Sequence, residues 1–222
     1  NNKVESKAGY NLKGMVYCGT KGVEGVLVTD GINITKTDAK GHYWLKSNKS
    51  YEVVYVILPS GYNVPTQAAM PNFWAQTSTD VDSEEQHDFE LIQASNDNHT
   101  ILVATDIHLT NRNLSPNDRQ QFREGFVNEL ISTYTGKQNV YCFNLGDFAH
   151  DIHWYRNDIG WAESLNNHPS DDINGLPCQF WSTMGNHDND GHTPSGDDVD
   201  LRASGPYRKM VGPTHIAMNI GK

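Results

Sequence analysis

Three short apolar runs in the second half of the chain each end in a polar cluster, and this recurrence constrains the fold more than any other feature. Ile101-Leu-Val-Ala104 leads to Asp106-Ile-His108, Val140-Tyr-Cys-Phe143 to Gly146-Asp147, and Gln179-Phe-Trp-Ser182 to Gly185-Asn-His-Asp188. Short continuous apolar runs are expected of parallel strands covered on both faces. Between the first two, Ser115-Pro116-Asn-Asp118 supplies a helix N-cap, a proline for the first helical position and an acid for the first turn. Phe122, Phe126, Leu130 and Tyr134 then recur every four residues up to Gly136, and a weaker helical pattern over 159–166 precedes the third run. The order β-α-β-α-β predicts a parallel sheet with right-handed crossovers. The carboxyl ends of its strands share one edge, so the three clusters should converge although about forty residues separate each from the next.

What converges is Asp106, His108, Asp147, Asn186 and His187, a set of oxygens and imidazoles without a thiolate, suited to hard or borderline divalent cations. If the first strand continues extended, Asp106 and His108 point to one side. The competing explanation is that these residues only cap loops, accepting backbone N–H groups at strand ends. Asp-x-His and Gly-Asp are weak signals singly. All three clusters in order, each directly after an apolar run, make a strong one.

From about Thr100 onward the sequence resembles the calcineurin-like metallophosphoesterase family, whose first motifs are Asp-x-His, Gly-Asp and Gly-Asn-His-Asp or Glu. The resemblance implies that Asp106 and His108 bind one metal ion, that Asp147 bridges two and that Asn186 binds the second. His187 would contact the phosphate and assist the leaving group without binding metal, and Asp188 would orient that imidazole or its loop. It further implies two divalent ions, of Mn, Fe or Zn, and a phosphate-ester substrate. His150, Asp151 and His153, with Trp154 and Tyr155, are expected to line the pocket. The family also uses three later histidines, one at a strand end and two in a Gly-His-x-His element, and neither is found up to Lys222. The expectation is therefore the first half of a catalytic domain, truncated, with its metal pair absent or partial, inactive alone, and able to associate with another copy through a cut sheet edge.

Residues 13–92 read as short strands broken by turn chemistry. Gly25-Val-Leu-Val-Thr-Asp30-Gly31 and Ile32-Asn-Ile34 surround a hairpin signal, and Thr37-Asp-Ala-Lys-Gly41 forms a second turn before His42-Tyr-Trp-Leu45. Tyr51–Leu58, apolar on both faces, reads as a central strand, and residues 67–86 as a long polar connection to a last strand over 87–92. This stretch resembles the transthyretin-like or carboxypeptidase-regulatory-like β-sandwich. The expected fold is two domains: an all-β sandwich over 1–96, then an α/β domain over 97–222, the N-terminal part of a metallophosphoesterase fold.

The 222 residues carry 17 Lys plus Arg against 27 Asp plus Glu, a formal charge of −10, so no binding to a nucleic-acid backbone is expected. No apolar run approaches the ~20 residues of a membrane span. The three cysteines imply no disulfide framework, and Cys142 and Cys178 read as buried thiols. The similarity of the two-domain arrangement to exported bacterial phosphoesterases implies an extracytoplasmic location. The favoured function is metal-dependent hydrolysis of phosphate esters. Its rival is a surface-binding protein in which the β-sandwich acts and a degenerate phosphoesterase half is scaffold.

Overall fold

The structure, a computed structural model, describes residues 3–110, 118–154 and 168–222. The expected helix start at Ser115-Pro116, the helical pattern over 159–166 and Tyr155 lie outside these residues. The chain divides into two compact units, one of Asn1–Pro65, Asn72–Asn98 and His215–Lys222, the other of Thr66–Pro71 and His99–Thr214.

The first unit is β-structure. Leu12–Cys18 pairs antiparallel with Lys21–Gly22 and His42–Leu45, and parallel with Glu85–Gln86 and Phe89–Glu90. A second sheet runs in the order Trp74–Gln76, Val53–Ile57, Leu27–Thr29, Ile34–Lys36, all antiparallel. Val53 to Val56 are all buried, as an interior strand apolar on both faces requires. The hairpin between Leu27–Thr29 and Ile34–Lys36 turns on Asp30, whose Oδ1 accepts the backbone N–H groups of Ile32 (2.9 Å) and Asn33 (2.6 Å). The segment at the chain end returns to this unit, where Asn219 N donates to Leu58 O at 2.9 Å.

In the second unit Thr100–Ala104, Val140–Asn144 and Gln179–Ser182 form a parallel sheet in that order. Val140, Tyr141, Cys142 and Asn144 of the middle strand are buried. The first strand departs from expectation. Ile101 is 49% and Val103 61% exposed, so this run is not covered on both faces. The strand lies at the sheet edge, where the face these two share is open, although Tyr141 and Trp181 on the same face of the inner strands are buried; an apolar run alone does not distinguish an edge strand from a central one.

The opposite face carries the core: Leu102, Cys142 and Phe180 pack with Val127, Leu130, Phe148, Trp154, Ile173 and Tyr207. The helix supplying Val127 and Leu130 is α-helical over Asp118–Phe122 and Asn128–Tyr134, with a π segment, Arg123–Val127, between them. A four-residue repeat overshoots the 3.6-residue α-turn by about 40° per step, and the wider π turn lets Phe122, Phe126, Leu130 and Tyr134 keep to one side. The buried Asp172 carboxylate anchors this helix through Arg119 Nε (2.6 Å) and Arg123 Nη1 (2.5 Å). The polar connection contains a short hairpin, Thr66–Gln67 with Met70–Pro71, and Ala69 O accepts from Phe180 N of the third strand at 2.9 Å.

Candidate metal centre

Beyond the sheet the first two loops run side by side. Leu145 N bonds Ala104 O (2.9 Å), Asp106 N bonds Gly146 O (3.1 Å), His108 N bonds Asp147 O (2.9 Å) and Leu109 N bonds Phe148 O (3.0 Å). Within this ladder Asp106, His108 and Asp147 all have left-handed backbones, φ 54, 55 and 53. The condition under which Asp106 and His108 would point to one side, an extended strand running on through them, is not met, because the strand ends at Ala104 and left-handed residues aim the side chains instead. For side chains other than glycine this conformation costs roughly 1–2 kcal/mol per residue. Strain at three neighbouring positions that share one side-chain cluster is a signature of a functional constraint.

The three side chains meet. His108 Nε2 lies 3.6 Å from Asp147 Oδ2 and 3.9 Å from Asp106 Oδ1, and one ligand atom from each residue falls within 4.8 Å of the others. Asp147 is buried, whereas Asp106 is open to solvent.

The third loop is fitted against Asp147. Its Oδ1 accepts His187 N at 2.8 Å, and a Cβ on Gly185 would stand 2.1 Å from that same oxygen and 2.3 Å from Asp147 N. Only glycine permits this approach. Asp188, fully buried, accepts N–H bonds from Phe148 (3.1 Å), Ala149 (2.9 Å) and Gly185 (3.0 Å), and so ties the Gly-Asp loop to the Gly-Asn-His-Asp loop. Burial pushes its carboxyl up to about 6, with the three N–H bonds opposing and the Asp147 charge adding to the rise. Of the two expected roles for Asp188, the structure shows the contact to the loop.

The imidazole of His187 has another partner, Asp151, whose Oδ1 lies 2.7 Å from Nδ1. Asp151 opens the short helix Asp151–Trp154, four residues beyond Asp147. His108, His150 and His187 also bring their ring nitrogens within 4.8 Å of one another. Their ring centroids are 4.7 Å apart for His108 and His187, and 5.7 Å for each pair with His150. His150 thus belongs to the cluster itself. His153, expected to line the pocket, is fully buried edge-on against Trp154 at 4.6 Å. Asn186 is exposed in the 3₁₀ turn that also carries His187. The sequence reading missed the pairing of Asp151 with His187; the one signal for it was the four-residue offset from Asp147 across a helix start.

The donors fit divalent cations: two carboxylates with one imidazole in one group, three imidazoles in the other, and among the described residues no cysteine in either. Residues 10–94 match the family model described as the N-terminal part of calcineurin-like phosphoesterases. No curated protein and no solved structure matches the chain. The match covers the β-rich segment that reads as transthyretin-like and stops short of the strand-end cluster. It points to a phosphoesterase, hence hydrolase, family in which divalent metals are expected, and the strand-end cluster offers ligand groups for them.

Proposed function

We propose that this chain carries the metal-binding and phosphate-binding residues of a metal-dependent phosphoesterase. The observation that supports the reading is the convergence of Asp106, His108 and Asp147, each in a strained left-handed backbone, on one point at the carboxyl edge of a parallel sheet. Asp106, His108 and Asp147 would hold one divalent ion, and Asp147 with Asn186 would hold a second. Such a pair supplies an activated water and neutralises charge on the phosphoryl oxygens.

The chain's own groups do the rest. Gly185 lets the third loop lie against Asp147, and the His187 N–H on Asp147 Oδ1 leaves Oδ2 toward His108. Asp151 holds His187 through Nδ1, so Nε2 faces away from that carboxylate, where it can donate to a phosphoryl oxygen or to the leaving group. Asp188 fixes the spacing of the two loops that carry these residues. The loss of charge at Asp147 should weaken both cation positions together. The test is hydrolysis of an aryl phosphate with added manganese by the protein extended to carry the later histidines, with bound metal measured in parallel. Asp147→Asn should abolish turnover and metal binding, whereas His187→Ala should lower turnover by about 10²-fold or more with metal content nearly unchanged. Full turnover by Asp147→Asn would overturn the reading.

A further inference from the structure

We propose that His108, His150 and His187 form an alternative cation site, selective for zinc and its borderline neighbours, which competes with the oxygen-rich group for His108. The three ring nitrogens lie within 4.8 Å of one another, and each residue is partly exposed, so an ion can reach them. Tetrahedral zinc, with Zn–N distances near 2.0–2.1 Å, needs nitrogens roughly 3.3 Å apart. Partly exposed side chains reach that spacing by small rotations. Three imidazoles without a carboxylate favour zinc, nickel or copper over manganese or magnesium, while Asp106, His108 and Asp147 discriminate less and are the set that suits manganese. The Asp151 carboxylate on His187 Nδ1, at 2.7 Å, is the arrangement that orients a metal-binding histidine and raises its basicity, and it leaves Nε2 as the ligand atom.

His108 belongs to both groups. An imidazole that keeps its second proton binds one cation, so occupation of one set empties the other of its histidine. Ion identity then selects the arrangement: manganese draws His108 to the two aspartates, zinc draws it to His150 and His187. On the proposed hydrolase function, zinc held this way also withdraws His187 from the phosphate and so inhibits.

The test is binding, read without turnover. Zinc and manganese are titrated separately into the 222-residue protein against a chromophoric chelator, with folding followed by circular dichroism. His150→Ala should weaken zinc about tenfold or more and leave manganese near its wild-type affinity. Asp106→Asn should weaken manganese more than zinc. Unchanged zinc affinity in His150→Ala, or an equal loss of both ions, overturns the proposal. If His150→Ala does not fold, the imidazole NMR resonances of the wild type decide: zinc should shift His108, His150 and His187 together, and a shift of His108 alone overturns the site. Absence of phosphatase activity in the protein extended to carry the later histidines would count against the hydrolase reading and leave this site standing, whereas loss of zinc selectivity would remove this site and leave Asp106, His108 and Asp147 in place.

Discussion

Aspartates stand at strand ends in both units and behave differently. In the first, Asp30 Oδ1 takes the N–H groups of Ile32 and Asn33, and Asp38 Oδ1 takes those of Lys40 and His42, both at 2.8 Å. Each carboxylate is satisfied within four residues, and a glycine supplies the positive φ, Gly31 at 92 and Gly41 at 77. In the second unit Asp106 and Asp147 take the left-handed conformation themselves. Asp106 keeps a local bond from Thr105 Oγ1 at 2.5 Å, but also approaches His108, and Asp147 reaches the His187 N–H in a loop forty residues on. A turn aspartate closes its own turn and needs no distant partner. Strain at the aspartate itself, combined with a distant partner, distinguishes a site from a turn.

The largest test of this contrast is Asp188→Ala against Asp38→Ala. Asp188 is buried and satisfies three backbone donors, and each left without a partner costs about 1 kcal/mol or more. A loss of about 3 kcal/mol or more in denaturant unfolding is expected, together with loss of metal binding as the two loops part. Asp38 is exposed and water replaces it, so about 1 kcal/mol or less is expected there. Equal losses would erase the distinction.

Gly185→Ala against Gly25→Ala sharpens it next. Gly185 has an ordinary φ of −104, so its requirement is the contact with Asp147, whereas Gly25 has φ 83 and meets only the flexible end of Lys36, at 3.3 Å. The expected costs are comparable, about 1–3 kcal/mol for the overpacked site and about 1–2 for the strained turn. Metal binding separates the two variants. It should disappear in Gly185→Ala, because Asp147 must move, and persist in Gly25→Ala.

How much of this was legible follows from what each feature depends on. That the loops carrying Asp106, His108, Asp147 and His187 share one edge follows from strand order, whereas the meeting of the side chains does not. The turns at Asp30 and Asp38 are local and equally readable. The left-handed backbones, the place of His150 and the partner of His187 depend on the path of loops across a neighbouring loop, which no periodicity encodes. The exposure of Ile101 and Val103 depends on which strand is last, and the hairpin over Thr66–Pro71 was hidden because two-residue strands leave no alternation to detect.

A smaller effect is the pH dependence carried by Asp188. Its folded pKa is raised from 3.8 to about 6, chiefly by burial, so the fold favours the protonated acid. The resulting stability is fully present below 3.8 and is lost as pH rises through about 6, with a slope of at most about 1.4 kcal/mol per pH unit. Urea unfolding of the wild type and Asp188→Asn, compared at pH values spanning that window, should show the wild type losing ground as pH rises. A wild type that gains instead would mean that the three N–H bonds outweigh desolvation and that the loop junction prefers a carboxylate.

The smallest effect concerns the cysteines, which differ between the units and perturb nothing when probed. Cys18, in the first unit, is partly exposed, whereas Cys142 and Cys178 are buried free thiols behind the sheet that carries the candidate site. Burial pushes Cys142 up to about 12, with Cys178 adding to the rise, and Cys178 up to about 11. The thiolate is the species that alkylates, so at mildly alkaline pH neither has an appreciable reactive fraction, and neither is accessible in the fold. Iodoacetamide followed by mass spectrometry should give one label on the native protein, at Cys18, and three in denaturant. The same experiment gauges how firmly the second unit is packed. Labelling of Cys142 with Cys18 in the native state would show that the strand Val140–Asn144 opens, and that the edge presenting Asp147 is not held rigid enough to sustain strained backbones at its loops.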